Sequence, residues 1–272
     1  DSMYRHYPGP KFGRQGIREL CGIEKGPILM SALKPLGRSA KDFGETAYKL
    51  ALGGCPLIKD DHSLFNQSYA PFKDRVKACV DSVNNANTKT GGRSLYIANC
   101  TADSMEFLER AMTAQELGAG GIMAAPGLLG LSIIRELSSA PDFHLPIFLH
   151  PCFSGPLVLS ADSGVSPFCY YGQFSRLAGA DAAIFTSFGG RFPFTEEVCR
   201  KICDGTETEM GGLRSIFPVP SGGMKWQLFK KMVQVYGPDA IFLVGGALLT
   251  ESDDLTANMH FYFEKLNEAV NK

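Results

Sequence analysis

The sequence predicts a (β/α)8 TIM barrel, and three observations carry that prediction. Eight short apolar runs recur along the 272 residues. Longer stretches with helical spacing lie between them. Near-continuous apolar strands alternating with helices argue for a parallel sheet covered on both faces. Nor does any switch point mark an open doubly wound sheet. The eight units fall within 27–272, matching the roughly 250 residues typical of a closed barrel.

The first run, ILMSALKP (28–35), precedes SAKDFGETAYKLAL, where Phe43, Ala47, Leu50 and Ala51 share one face and Ser39 is placed to cap it. PLIKDD (56–61) and SLYIANCT (94–101) come next. In DSMEFLERAMTAQELG, Asp103 is the expected cap, Glu106 follows three residues on, and Gly118 is the stop. GIMAAP (121–126), PIFLHP (146–151), AAIFTS (182–187), SIFPVPSGG (215–223) and AIFLVGGAL (240–248) complete the eight. KWQLFKKMVQVYG reads as a helix ending at Gly237, and DLTANMHFYFEKLNEAV closes the chain. Residues 1–26 read as an irregular lead-in from a missing N-terminal domain, and no linker divides 27–272.

Composition narrows the partners. Net charge is −1 and the basic residues are scattered, so neither nucleic acid nor an anionic membrane surface is expected. No apolar run approaches the ~18 residues of a membrane span, and DSMYRHYPGPKFGRQGI is neither a signal nor a transit peptide. The 8 cysteines lack zinc-type pairing; Cys199 and Cys203 lie one helical turn apart. Such spacing reads as core packing in a reduced, cytoplasmic protein.

In this fold the working groups gather at the carboxyl ends of the strands. Read in order, those ends carry Lys34-Pro35, then Lys59-Asp60-Asp61-His62, Asn99 and His150. SFGGRF follows with Arg191, and then Ser221-Gly222-Gly223 and Gly245-Gly246. Glycines after strands 7 and 8 expose backbone N–H groups as a phosphate cradle would, although each alone is as well read as a turn. The strand-2 cluster is open to two readings. One is a surface knot of ion pairs. The other is a divalent-metal site of adjacent hard oxygen ligands, in which a lysine is out of place unless CO₂ carbamylates it into an anionic oxygen donor.

GGCPLIKDD resembles the strand-2 metal motif of the RuBisCO large subunit, in which the lysine is carbamylated. MSALKP resembles its catalytic-lysine strand, and PSGGM and VGGA resemble its phosphate loops. The similarity runs from PGPKFG to the last helix, and KDDH with FGGRF looks more like the RuBisCO-like proteins (form IV) than the carboxylases. The resemblance implies carbamylated Lys59 and Asp61 as ligands of Mg²⁺, with His62 in the place of a second carboxylate and tilting preference toward Mn²⁺ or another transition ion. It implies Lys34 as the proton-transfer group, His150 as the strand-5 histidine, and Ser221, Gly222, Gly223, Gly245 and Gly246 as the site of one phosphate. It also implies a homodimer.

The departures redirect the expected chemistry. Leu36 stands where the carboxylase motif has a second lysine. An ungapped reading puts Arg191 at the loop-6 lysine, and its planar fork is no isostere of an ammonium. That reading puts Cys152-Phe153 at the strand-5 histidine-arginine pair and Ile184 at the strand-6 histidine. Carboxylation of ribulose bisphosphate is therefore not expected. The expectation is metal-assisted enolisation of a phosphorylated sugar, a monophosphate with an apolar or uncharged far end, by an isomerase or a decarboxylase/transcarboxylase. A divergent carboxylase and a non-catalytic phosphometabolite binder are the rival readings.

Overall fold

The computed structural model describes residues 3–160, 162–190 and 192–271. Its eight strands are β1 Ile28–Ala32, β2 Leu57–Lys59, β3 Leu95–Asn99, β4 Gly121–Ala124, β5 Ile147–Leu149, β6 Ala182–Thr186, β7 Phe217–Ser221 and β8 Ile241–Leu243. Each falls inside one of the eight apolar runs. All pair in parallel, in the ladder order β7-β6-β5-β4-β3-β2-β1-β8. β7 and β8 lie side by side and close the ring.

A proline pattern explains why that last seam carries no ladder among the described residues. The Phe217 N–H bonds to Asp181 across the β6 side, so the amide positions of Pro218 and Pro220, one step out of phase, face β8. Proline has no N–H to give there.

Alternation along the strands builds two apolar layers. Met30, Leu57, Ile97, Met123, Phe148, Ile184 and Val219 fill the barrel interior. Leu29, Ile58, Ala98 and Phe185 pack outward against the helices. The helix Ala40–Leu52 starts at a capping box between Ser39 and Asp42. Asp254 caps Leu255–Val270 by accepting from the Thr256 and Ala257 amides at 3.0 and 3.1 Å. Asp103 stands at the N-cap of Ser104–Glu116 without a side-chain bond. The expected box fails there because Glu106 turns to Arg110 instead, at 2.6 Å.

The lead-in differs from the irregular segment expected. Gly13–Cys21 is an α-helix, and its Ile17 is fully buried against the interior residues. Asp181, just before β6, accepts from the Phe12 and Gly13 amides at 2.8 Å each, and Arg18 pairs with Asp239, just before β8, at 2.6 Å. Both anchors precede strands, so this helix seals the amino end of the barrel. The opposite end is left open for chemistry. No helix among the described residues is long and apolar enough to cross a membrane.

Candidate active site

A cavity of about 700 Å³ opens at the carboxyl ends of the strands. Lys34, Lys59, Asp61, His62, His150, Ser221, Gly222, Gly223, Gly245 and Gly246 all line it. Arg191 lies outside the described residues.

The strand-2 cluster divides by the two-residue alternation of side chains. Lys59 ends β2 facing the cavity floor, 2% exposed, with its Nζ donating to the Asp60 carbonyl at 2.8 Å. Burial pulls its pKa down to about 8 against the opposing attraction of Asp61 and Asp60. Asp60 faces away from the cavity. Its carboxylate is buried and accepts from Arg75 Nε at 3.2 Å, Tyr96 Oη at 2.8 Å and the Asn99 amide at 3.0 Å. Asn99 is spent on structure as well, its Nδ2 donating to the carbonyls of His62 and Leu64 at 3.0 and 3.1 Å.

Asp61 returns to the cavity. It accepts from the Ser63 amide at 3.0 Å and forms an ion pair with Lys34. Burial alone would raise its pKa, but these two donors outweigh it and hold the carboxyl below its usual range. His62 lies half-exposed with Nδ1 3.6 Å from Asp61 Oδ1, its ring stacked on His150. His150 Nδ1 accepts from the Cys152 amide at 3.2 Å, so in the neutral ring the proton sits on Nε2. Burial, with Lys59, His62 and Lys34 nearby, holds the His150 pKa well below the imidazole range.

This donor set suits a divalent cation on one condition. Among the described residues, no three His, Cys, Asp or Glu side chains cluster as a metal site. Asp61 and the His62 imidazole would supply two donors, and a third would have to come from Lys59. An amine with a pKa near 8 is neutral in a sizeable fraction at physiological pH. Only the neutral amine adds CO₂, so the chemistry of the site fits the carbamate.

The opposite wall is backbone-rich. Gly222 and Gly223 both have φ +86°, a conformation that side chains rarely tolerate. A Cβ on Gly190 would collide with the Gly222 carbonyl, so the loops after β6 and β7 touch there only because Gly190 lacks one. Gly246 opens a short helix after β8, whose first amides have no intrahelical partner. Ser221 Oγ is turned to the Phe185 carbonyl at 2.9 Å, which leaves that hydroxyl as an acceptor toward the cavity.

The family model for the catalytic domain of the ribulose bisphosphate carboxylase large chain matches residues 13–258. The chain belongs to the RuBisCO large-chain family. A 5-methylthioribulose-1-phosphate isomerase of Rhodospirillum rubrum is 35% identical over 261 residues, 94% of this chain and 67% of that protein. A 2,3-diketo-5-methylthiopentyl-1-phosphate enolase of Geobacillus thermodenitrificans is 36% identical over 249 residues, 91% of this chain and 60% of that one. Among solved structures, a RuBisCO-like protein from Alicyclobacillus acidocaldarius superposes with a TM-score of 0.93 at 31% identity, covering 100% of this chain and 68% of its own. This chain thus spans three-fifths to two-thirds of the length of these relatives, and it sits on the RuBisCO-like side of the family.

Two ungapped correspondences to the carboxylase need correction. Ile184 lies in the barrel interior, 1% exposed, and the β6 residue that reaches the cavity is Thr186. Phe153 is 71% exposed at φ 61° and does not line the cavity. Strand ends slide by a residue or two without disturbing the core pattern, so an ungapped comparison loses register there. Cys152, Lys225 and Thr250 also line the cavity; Lys225, one step past PSGGM, stands just beyond the motif. Val158, Leu159, Tyr171 and Phe194 form an apolar wall. The segment after β5 carries no motif, so nothing in the sequence marked Val158, Leu159 or Tyr171; Phe194 stands two residues past FGGRF.

Proposed function

We propose that this chain is the catalytic barrel of a RuBisCO-like enzyme that enolises a phosphorylated ketose or diketone with an uncharged apolar tail. One observation carries the reading. A lysine-carboxylate floor, a glycine-rich wall and an apolar wall converge on one cavity. A sugar monophosphate has the matching three parts: a carbonyl with an acidic neighbouring C–H, an anionic end and a neutral end. The names of the isomerase and enolase relatives describe the same kind of molecule.

Carbamylated Lys59, Asp61 and His62 would hold a divalent ion, which supplies positive charge beside the substrate carbonyl oxygen. Lys34 moves the proton at the carbon next to that carbonyl. To do so it leaves Asp61, so cation binding and release of the base are coupled through one carboxylate. His150, neutral and protonated on Nε2, donates a hydrogen bond to a substrate oxygen. The amides of Gly222–Gly223 and Gly245–Gly246 hold the phosphate, as backbone donors at loop and helix starts do; the Ser221 amide, in phase with that of Phe217, faces β6.

A second copy of the chain is part of the proposal. Apart from Met3 and Val270, every exposed large apolar residue among those described belongs to the cavity face. They are Leu36, Tyr69, Met105, Leu128, Phe153, Leu157, Leu159, Phe192 and Leu228, in the loops and short helices that follow the strands or, for Met105, in the first turn of a helix. A homodimer burying that face fits an apolar distribution of this kind. Light scattering on the protein and on Phe153→Asp tests it; a monodisperse monomer with full activity overturns it.

The activity test is deuterium wash-in. Incubated in D₂O with a methylthio-ketose phosphate, the protein should exchange the proton next to the carbonyl, and Lys34→Ala should lose that exchange by about a hundredfold or more. Fixation of labelled CO₂ into ribulose bisphosphate would instead mark a divergent carboxylase. Phosphate binding with no exchange would mark a non-catalytic barrel.

A further inference from the structure

We infer that Lys225 supplies the countercharge for the bound phosphate, an assignment that rests on reading the β7 and β8 loops as the phosphate cradle. Three described cations border the cavity: Lys34, Lys59 and Lys225. The first is paired with Asp61. The second is sunk in the floor, its Nζ on the Asp60 carbonyl at 2.8 Å. Lys34 does pass the wall, its Cε 3.9 Å from where a Cβ on Gly245 would stand, but its ammonium is held by Asp61 and is assigned to proton transfer.

Lys225 follows that wall directly and is extended, with φ −132° and ψ 151°. The residues on either side of it are anchored. Met224 is 3% exposed in the outer core, and Trp226 packs edge-on against Phe261 with centroids 5.5 Å apart. Pinned at both neighbours, Lys225 is left as the exposed side chain bordering the cavity beside Gly222 and Gly223. No ion pair to it is formed among the described residues. Backbone N–H groups orient a phosphate, but a dianion against them keeps most of its charge unless a cation stands close. One ammonium on one wall serves one phosphate.

Titration of inorganic phosphate, and separately of a ketose monophosphate, into wild type, Lys225→Met and Lys225→Arg tests the assignment. Lys225→Met should weaken both ligands about tenfold and flatten the salt dependence of binding, while Lys225→Arg stays within about threefold of wild type. In turnover the loss should appear in KM with kcat changed less than about twofold. If wild type binds phosphate and Lys225→Met binds it equally well, the Lys225 assignment is wrong and the cradle stands. If wild type binds neither ligand, the cradle reading falls and this assignment with it. Equal melting temperatures for the three proteins would establish that the comparison is one of binding and not of folding.

Discussion

The rings of His62 and His150 stack with centroids 4.4 Å apart and planes 11° from parallel. Each ring constrains the other. His150 is oriented by the Cys152 amide, and the stack carries that orientation to His62, whose Nδ1 faces Asp61 Oδ1 at 3.6 Å. An imidazole nitrogen therefore occupies the place where the resemblance to the carboxylase leads one to look for a hard oxygen. Imidazole suits Mn²⁺ and later transition ions better than Mg²⁺.

His62→Glu should accordingly strengthen Mg²⁺ binding by about tenfold and narrow the Mn²⁺-over-Mg²⁺ preference. Calorimetry in the presence of bicarbonate measures both. Equal Mg²⁺ affinity in the two proteins would remove His62 from the ligand set.

Lys59 makes a prediction with a defined pH window. Its folded pKa lies near 8, below the ordinary value of 10.5, so the fold carries a buried-charge penalty wherever the amine is protonated. That penalty is fully present below pH 8 and disappears as the pH rises toward 10.5. In CO₂-depleted buffer Lys59→Met should therefore be more stable than wild type by about 2–3 kcal/mol at pH 7. The advantage should shrink between pH 8 and 10.5. Denaturant unfolding across that range checks it, and a pH-independent difference would contradict the buried-charge origin.

Asp60 and Asp61 are adjacent in sequence and opposite in duty. Asp60→Ala strands the fully buried Arg75 guanidinium, and breaking such a pair costs about 3–5 kcal/mol. Asp61 accepts its bonds at the cavity, so Asp61→Asn should change stability by less than about 1 kcal/mol while abolishing divalent-ion binding. Melting curves and metal titrations on the two variants separate the roles. Equal destabilisation would show that Asp61 is structural too.

Substrate charge provides the next test. Apart from Lys34, Lys59 and Lys225, each already assigned a role, the cavity is bordered by no lysine or arginine among the described residues. Burying a second phosphate dianion there would cost several kcal/mol. A ketose monophosphate should therefore bind at least as tightly as the matching bisphosphate in competition titrations. A bisphosphate preference of about tenfold or more would require a second anion site.

Barrel topology was legible from the sequence because burial on both faces forces unbroken apolar runs, and helices on the outside force 3.6-residue spacing. Those two periods alone count eight units. The strand-2 cluster, Lys34, His150 and the two glycine loops were legible because each stands at the carboxyl end of a run, where core packing has no use for such residues. Which carboxylate faces the cavity was settled by folding: Asp60 and Asp61 are chemically identical, and only strand alternation and the position of Arg75, fifteen residues away in a helix, turn one inward and one outward. Thr186 and Lys225 reach the site through where the strands end and what pins their neighbours. Most of the apolar wall (Val158, Leu159 and Tyr171) comes from a segment that carries no motif. Local composition determines which elements form; the choice of what faces the cavity belongs to contacts between residues far apart in the chain, which no single run records.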